Sequence, residues 1–330
     1  MRADRPACLQ FPPQLGYYAV VREKKKLHLP MTGSSARPTP VCAKTYGVEL
    51  FYGAVPQITK DRLPDALRKR SPDITPVDVE RASGPWVFAH REHRGPTPAG
   101  MAPAEPAKCL IGLSENPPDP ARLQSALEQS WGWPQAAEVL PRCRAAVLLT
   151  DLMATGLHHL ERLILFENVL VSMLEAFPCL VIHWQPTQQM VNPDEFLAAV
   201  GEAGGLVFTP GPLNVRLFRI EGDRAAADAT GGDVLMDTLG LAALGLPDLQ
   251  CHFTGLDPQA VSRVLYNTGI YLFKRGDVIE DRHTIPGIRA GDKWRCRREN
   301  SLARPDRTVI DLDPGPPFSA RDRRTAGNPV

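Results

Sequence analysis

Val234–Cys296 reads VLMDTLGLAALGLPDLQCHFTGLDPQAVSRVLYNTGIYLFKRGDVIEDRHTIPGIRAGDKWRC. Its first part, VLMDTLGL and LQCHF, predicts two strands joined by a Gly-Leu-Pro turn. Asp257-Pro258 then supplies an N-cap and a proline at the first helical position, and Gly276 supplies a stop. Between them Val261, Val264, Leu265, Tyr271 and Leu272 form one apolar helix face. DVIED, the segment after Pro286, WRCRR and TVIDL predict short strands or loops that close the unit. Strands followed by one long helix and further strands mark this unit as α+β.

Upstream, GVELFYG from Tyr46 alternates Val48, Leu50 and Tyr52 and predicts a strand. A short helix follows over Leu63–Lys69, and VDVERASGPWVFAHRE predicts two strands around Ser83-Gly84. Gly95–Ala107 is rich in proline, alanine and glycine and is the best candidate for an internal boundary. KCLIGLS and AAVLLTDL predict buried strands; the second is apolar without a break, which predicts cover on both faces. Asp119-Pro120 opens a helix. His158–Phe177 is the longest helix, with a wide apolar stripe that Pro178 stops. CLVIHW is a strand. Asn192 and Glu195 form a capping-box start for a helix that Gly204-Gly205 ends. NVRLFRI begins the last third, followed by a small polar loop, EGDRAAADATGGD. The expected fold is α+β, with mixed β-sheets and helices packed on them, divided into two similar-sized subdomains over 46–210 and 211–314. Residues 1–45 are expected to be a disordered extension and 315–330 a disordered tail.

At 330 residues, 43% hydrophobic and 23% charged, the chain has the composition of a globular protein with a sizeable core. A net charge of +1 gives no global field toward nucleic acid or an anionic membrane. No apolar run approaches the length of a membrane span. The seven cysteines are scattered and form no CxxC pair, which fits reduced thiols and a cytoplasmic location. The basic run Arg22–Lys26 is not followed by an apolar segment of secretory type.

The quoted stretch also carries a resemblance. Asp237-Thr238-Leu239-Gly240-Leu241, Gly245 to Phe253, Tyr266-Asn267-Thr268, Gly276 to Asp281, His283-Thr284 and Lys293-Trp294 resemble the bacterial family catalogued as domain of unknown function 4261. The likeness is most specific over 215–315. Thr150 to Met153 and His183 to Pro186 extend it more loosely. It implies an α+β fold and a soluble bacterial protein and assigns no catalytic residue. Arg282 departs from it, standing where a small residue is expected.

One constellation has the residue types for chemistry. Asp237, Cys251, His252, Glu280, Asp281 and His283 fall on adjacent predicted strands or their ends, with His183 as a further neighbour. Cys251, His252, Asp281 and His283 are candidate metal ligands of the kind zinc takes. Glu280, His283 and Asp237 are candidate catalytic groups, with Glu280 as general base toward a metal-bound water. The structural alternative makes Asp237 and Asp248 turn caps, Cys251 a core residue, and the two histidines partners of backbone groups. With no phosphate-binding loop, HExxH or nucleic-acid patch, the leading expectation is a module of adaptor or immunity type that binds a protein partner and uses no cofactor. A zinc-dependent or other hydrolase is the alternative.

Overall fold

The computed structural model describes residues 42–78, 84–97, 101–219 and 233–320. The polar loop expected before Val234 lies outside them, as do most of the two termini. The parts of the termini that are described are tied down. Ala43 N–H donates to the Ala243 carbonyl at 3.2 Å, Phe253 bridges to Ser319, and Ala320 N–H donates to the His252 carbonyl at 3.2 Å. The disorder expected for 42–45 and 315–320 is therefore corrected by specific backbone bonds.

The first sheet has seven strands: β1 (Gly47–Tyr52), β2 (Ile74–Asp78), β3 (Trp86–Arg94), β4 (Pro106–Ser114), β5 (Ala145–Leu152), β6 (Val181–Trp184) and β7 (Gln189–Val191). Their spatial order is β2-β3-β4-β5-β1-β6-β7, antiparallel throughout. Gly95–Ala107 is thus no boundary; it connects two neighbouring strands of one sheet. The second sheet has six strands: β8 (Asn214–Arg219), β9 (Val234–Leu239), β10 (Asp248–Phe253), β11 (Thr284–Pro286), β12 (Lys293–Asn300) and β13 (Thr308–Asp313). Its order is β11-β12-β13-β10-β9-β8, and β10 with β13 is its parallel pair. DVIED forms no strand; it is an irregular segment ahead of β11.

Six α-helices stand among the described residues. They are α1 (Arg62–Arg68), α2 (Pro120–Glu128), α3 (Ala136–Val139), α4 (His159–Ala176), α5 (Pro193–Ala203) and α6 (Pro258–Arg275). The side chains of Asp119, Asn192 and Asp257 accept from the first free amides of α2, α5 and α6, and proline follows each of the three. Gly204 ends α5 at φ 70°, in the left-handed region that suits glycine.

One continuous core joins the two sheets. The inner face of the first sheet, with Val48, Leu50, Ile111, Val147 and Leu149, meets Leu163, Phe166, Val169 and Leu170 of α4. The second sheet adds Leu249, Cys251 and Phe253 with Val261 and Leu265 of α6. A separate cluster of Phe51, Val181 and Met190 lies on the outer face of the first sheet, under α2 and α3. No described helix is long and apolar enough to cross a membrane.

Candidate functional site

β9 and β10 bring Asp237 opposite Gln250 and Leu235 opposite His252. Asp237 is fully buried and bound on both oxygens by arginine. Arg216 donates through Nε to Oδ1 at 2.9 Å and through Nη2 to Oδ2 at 2.6 Å, and Arg307 Nη2 adds a bond to Oδ2 at 2.7 Å. Asp248 has its oxygens equally occupied. It accepts from Thr238 Oγ1 at 2.9 Å, from the Leu241 and Ala242 amides, and from Arg307 Nε at 3.0 Å. Burial pushes Asp248 up to about 6 against the pull of Arg307. Arg307 also donates to the Ala303 and Pro305 carbonyls, so the β12–β13 connection is strapped over this polar centre. Two carboxylates with two arginines in one buried network hold strands together.

The rest of the expected constellation lies elsewhere. Glu280, Asp281 and His283 precede β11, at the far edge of the second sheet, with β12 and β13 between β11 and β10. At about 4.8 Å per strand step, β11 stands about 14 Å from β10 and about 19 Å from β9. Asp237 and His252 therefore do not meet Glu280 and His283. Locally, His283 Nδ1 accepts from the Glu280 amide at 3.0 Å, and Asp281 Oδ1 accepts from the Arg298 amide at 2.6 Å. Arg298 reaches Asp277 and the Ile279 carbonyl and pins the loop from inside. Arg282 has φ 68°, where a residue without a side-chain clash is favoured, which accounts for the small residue expected there. Cys251 faces the core, and His252 lies 3.8 Å from Asp233. Burial pushes the Cys296 thiol up to about 12. Among the described residues no group of three or more His, Cys, Asp or Glu side chains is placed to hold a metal ion.

His183 belongs to a different assembly, on the outer face of the first sheet. The cross-strand row Gly112–Leu148–Glu49–His183 runs over β4, β5, β1 and β6. His183 Nδ1 bonds Glu49 Oε2 at 2.8 Å, its ring stacks on Phe51, and Arg122 from α2 reaches both Glu49 oxygens at 2.9 Å. Hydrogen bonds from His183 and Arg122 hold the Glu49 carboxyl below its ordinary range, although burial opposes them. Beyond this row the sheet face opens. Val87, Leu110, Leu148, Thr150 and Leu152 are half-buried rather than covered. The full cover expected for AAVLLTDL is therefore found on one face only, since β5 alternates buried and half-buried along its length. Met101 and Met153 are exposed at 68% and 60%. They sit on the β3–β4 and β5–α4 connections, which touch backbone to backbone. A β-carbon on Gly95 would lie 3.1 Å from the Gly156 α-carbon. The sequence signal for this face was the unbroken apolar run in two neighbouring strands.

Residues 237–313 match the family model described as Domain of unknown function (DUF4261). That span runs from β9 to the end of β13 and includes the Asp237–Asp248–Arg307 network. No curated protein and no solved structure matches the chain.

Proposed function

We propose that this chain is a protein-binding module of adaptor or immunity type, and that its partner packs on the outer face of the first sheet. The observation that carries the reading is the half-buried apolar field of Val87, Leu110, Leu148 and Leu152, with Lys108 beside Leu152. Apolar side chains gathered on one sheet face are the kind of surface that partners cover. The polar fence of Glu49, Arg122 and His183 gives that field a rim with its own bonds satisfied. The hydrolase alternative has less support, because its acid, base and ligands stand on opposite sides of β12 and β13.

The test is native mass spectrometry of the tagged chain recovered from its own host, beside the double variant Leu110→Lys/Leu148→Lys. A second polypeptide in fixed ratio with the natural chain, lost from the variant at unchanged circular dichroism, is the expected result. A partner retained equally by the variant, or a free chain in both samples, overturns the proposal.

A further inference from the structure

A corner of the first sheet places three elements around one half-exposed imidazole. Asp73 lies in the turn before β2, His90 and His93 on β3, and Glu161 in the first turn of α4. His93 Nδ1 bonds Glu161 Oε1 at 2.7 Å. Its Nε2 faces Asp73 Oδ2 at 4.0 Å, and the other Asp73 oxygen stands 4.0 Å from His90 Nδ1. His90 Nδ1 is buried and has no hydrogen-bond partner. Asp73 Oδ2 accepts from the Glu92 amide at 3.4 Å.

A neutral imidazole has one N–H and one lone pair. With the proton assigned to Nδ1 by its carboxylate partner, Nε2 turns a lone pair toward a second carboxylate. Two acceptors then face each other across a gap too wide for a hydrogen bond. The imidazolium alone carries a donor for each side. We propose that His93 is a proton-operated latch: when protonated it ties the turn at Asp73 and the end of β3 to the start of α4, and when neutral it holds α4 alone.

The surroundings leave this role to His93. His90 is shut from solvent, and burial pushes it down to about 4 despite Asp73, so it is not the group that carries the latch. The charges behind His90, Asp151 and Arg162, are paired with each other at 2.5 Å. Lys108 pairs with Glu105, Arg91 bonds Thr75 Oγ1, and Arg94 bonds the Ala104 carbonyl. On α4, His158 caps the Leu160 amide and His159 bonds the Phe273 carbonyl. The latch stands whether or not the outer face of the sheet binds a partner.

Hydrogen exchange read by mass spectrometry tests it on the whole chain at about pH 5 and about pH 8, corrected for intrinsic rates and repeated with a metal chelator. Protection of the segments holding Asp73 and Glu92 is expected to be roughly tenfold higher at the acid pH, with β9 and β10 unchanged. His93→Gln and Asp73→Asn should each flatten that difference; two variants keep the test valid if one folds poorly. The proposal is overturned if both variants keep the natural difference. It is also overturned if protection is instead higher at the alkaline pH and the chelator removes that excess, which would put a metal ion in place of the proton.

Discussion

A neutral imidazole sealed from water is a weakness in acid, and His90 is such a group. Burial pushes its pKa from 6.5 down to about 4. Between those values the unfolded chain holds a proton that the folded chain refuses. His90 therefore leaves stability intact above pH 6.5 and removes it as the pH falls through 6.5 toward 4, by at most about 3 kcal/mol. Urea unfolding across that window should show the natural midpoint falling further than that of His90→Phe. Equal slopes would mean that His90 is not shielded. Neither role is legible in AHREH. The spacing puts both histidines near the end of a strand, but only the distant Asp73 turn and Glu161 give them different fates. The same limit applies to Asp237. As a letter it is a candidate ligand. With Arg216 and Arg307 on its oxygens it is a strut.

At the scale of elements, every sheet edge among the described residues is protected, and one in an unusual way. β2 contains Pro76, β11 is three residues long and ends on Pro286, and β7 is short and buried. β8 is the long edge. Gln129, at the end of α2, acts there as one rung of a missing strand. Its Oε1 accepts from the Leu217 amide at 3.1 Å, and its Nε2 donates to the Leu217 carbonyl at 3.2 Å. Gln129→Ala should cost about 1–2 kcal/mol and raise light scattering on prolonged incubation. A variant as stable and as clear as the parent would show the clasp to be incidental. The helix boundaries were legible because capping is local. Asp119, Asn192 and Asp257 each sit one residue before a proline, and each accepts the bonds that pattern predicts. The clasp was not legible, since it pairs residues 88 positions apart.

For the molecule as a whole, strand periodicity told which segments are strands but not which ones touch. β1 is inserted between β5 and β6, roughly a hundred residues downstream, and the order β11-β12-β13-β10-β9 takes the expected constellation apart. The start of the second sheet was readable, since NVRLFRI reads as a strand and β8 is Asn214–Arg219. The seam was not, because polar groups close it. Glu167 accepts from the Val207 amide, and burial holds its pKa well above the carboxylate range. Asn214 Nδ2 donates to the Thr187 carbonyl at 3.1 Å. At Gly240 a β-carbon would lie 1.9 Å from the Pro212 carbonyl oxygen. With one core and these ties, calorimetry should show a single unfolding transition for both sheets. Arg162→Met should lower that transition without dividing it. Two resolved peaks in the natural chain would contradict the shared core.

Arg162 also sets an order of events at the ribosome. Its guanidinium holds Asp151, eleven residues before it, and the Ala43 carbonyl, but a further partner is the Ala243 carbonyl, 81 residues on. A growing chain that has released the whole first sheet therefore waits through the synthesis of β8 and β9 with one acceptor of this buried cation still missing. The apolar inner surface that the second sheet will cover waits beside it. Pausing in that interval extends the exposure of an adhesive half-molecule, and the chain's demand for chaperones should concentrate there rather than at its completion.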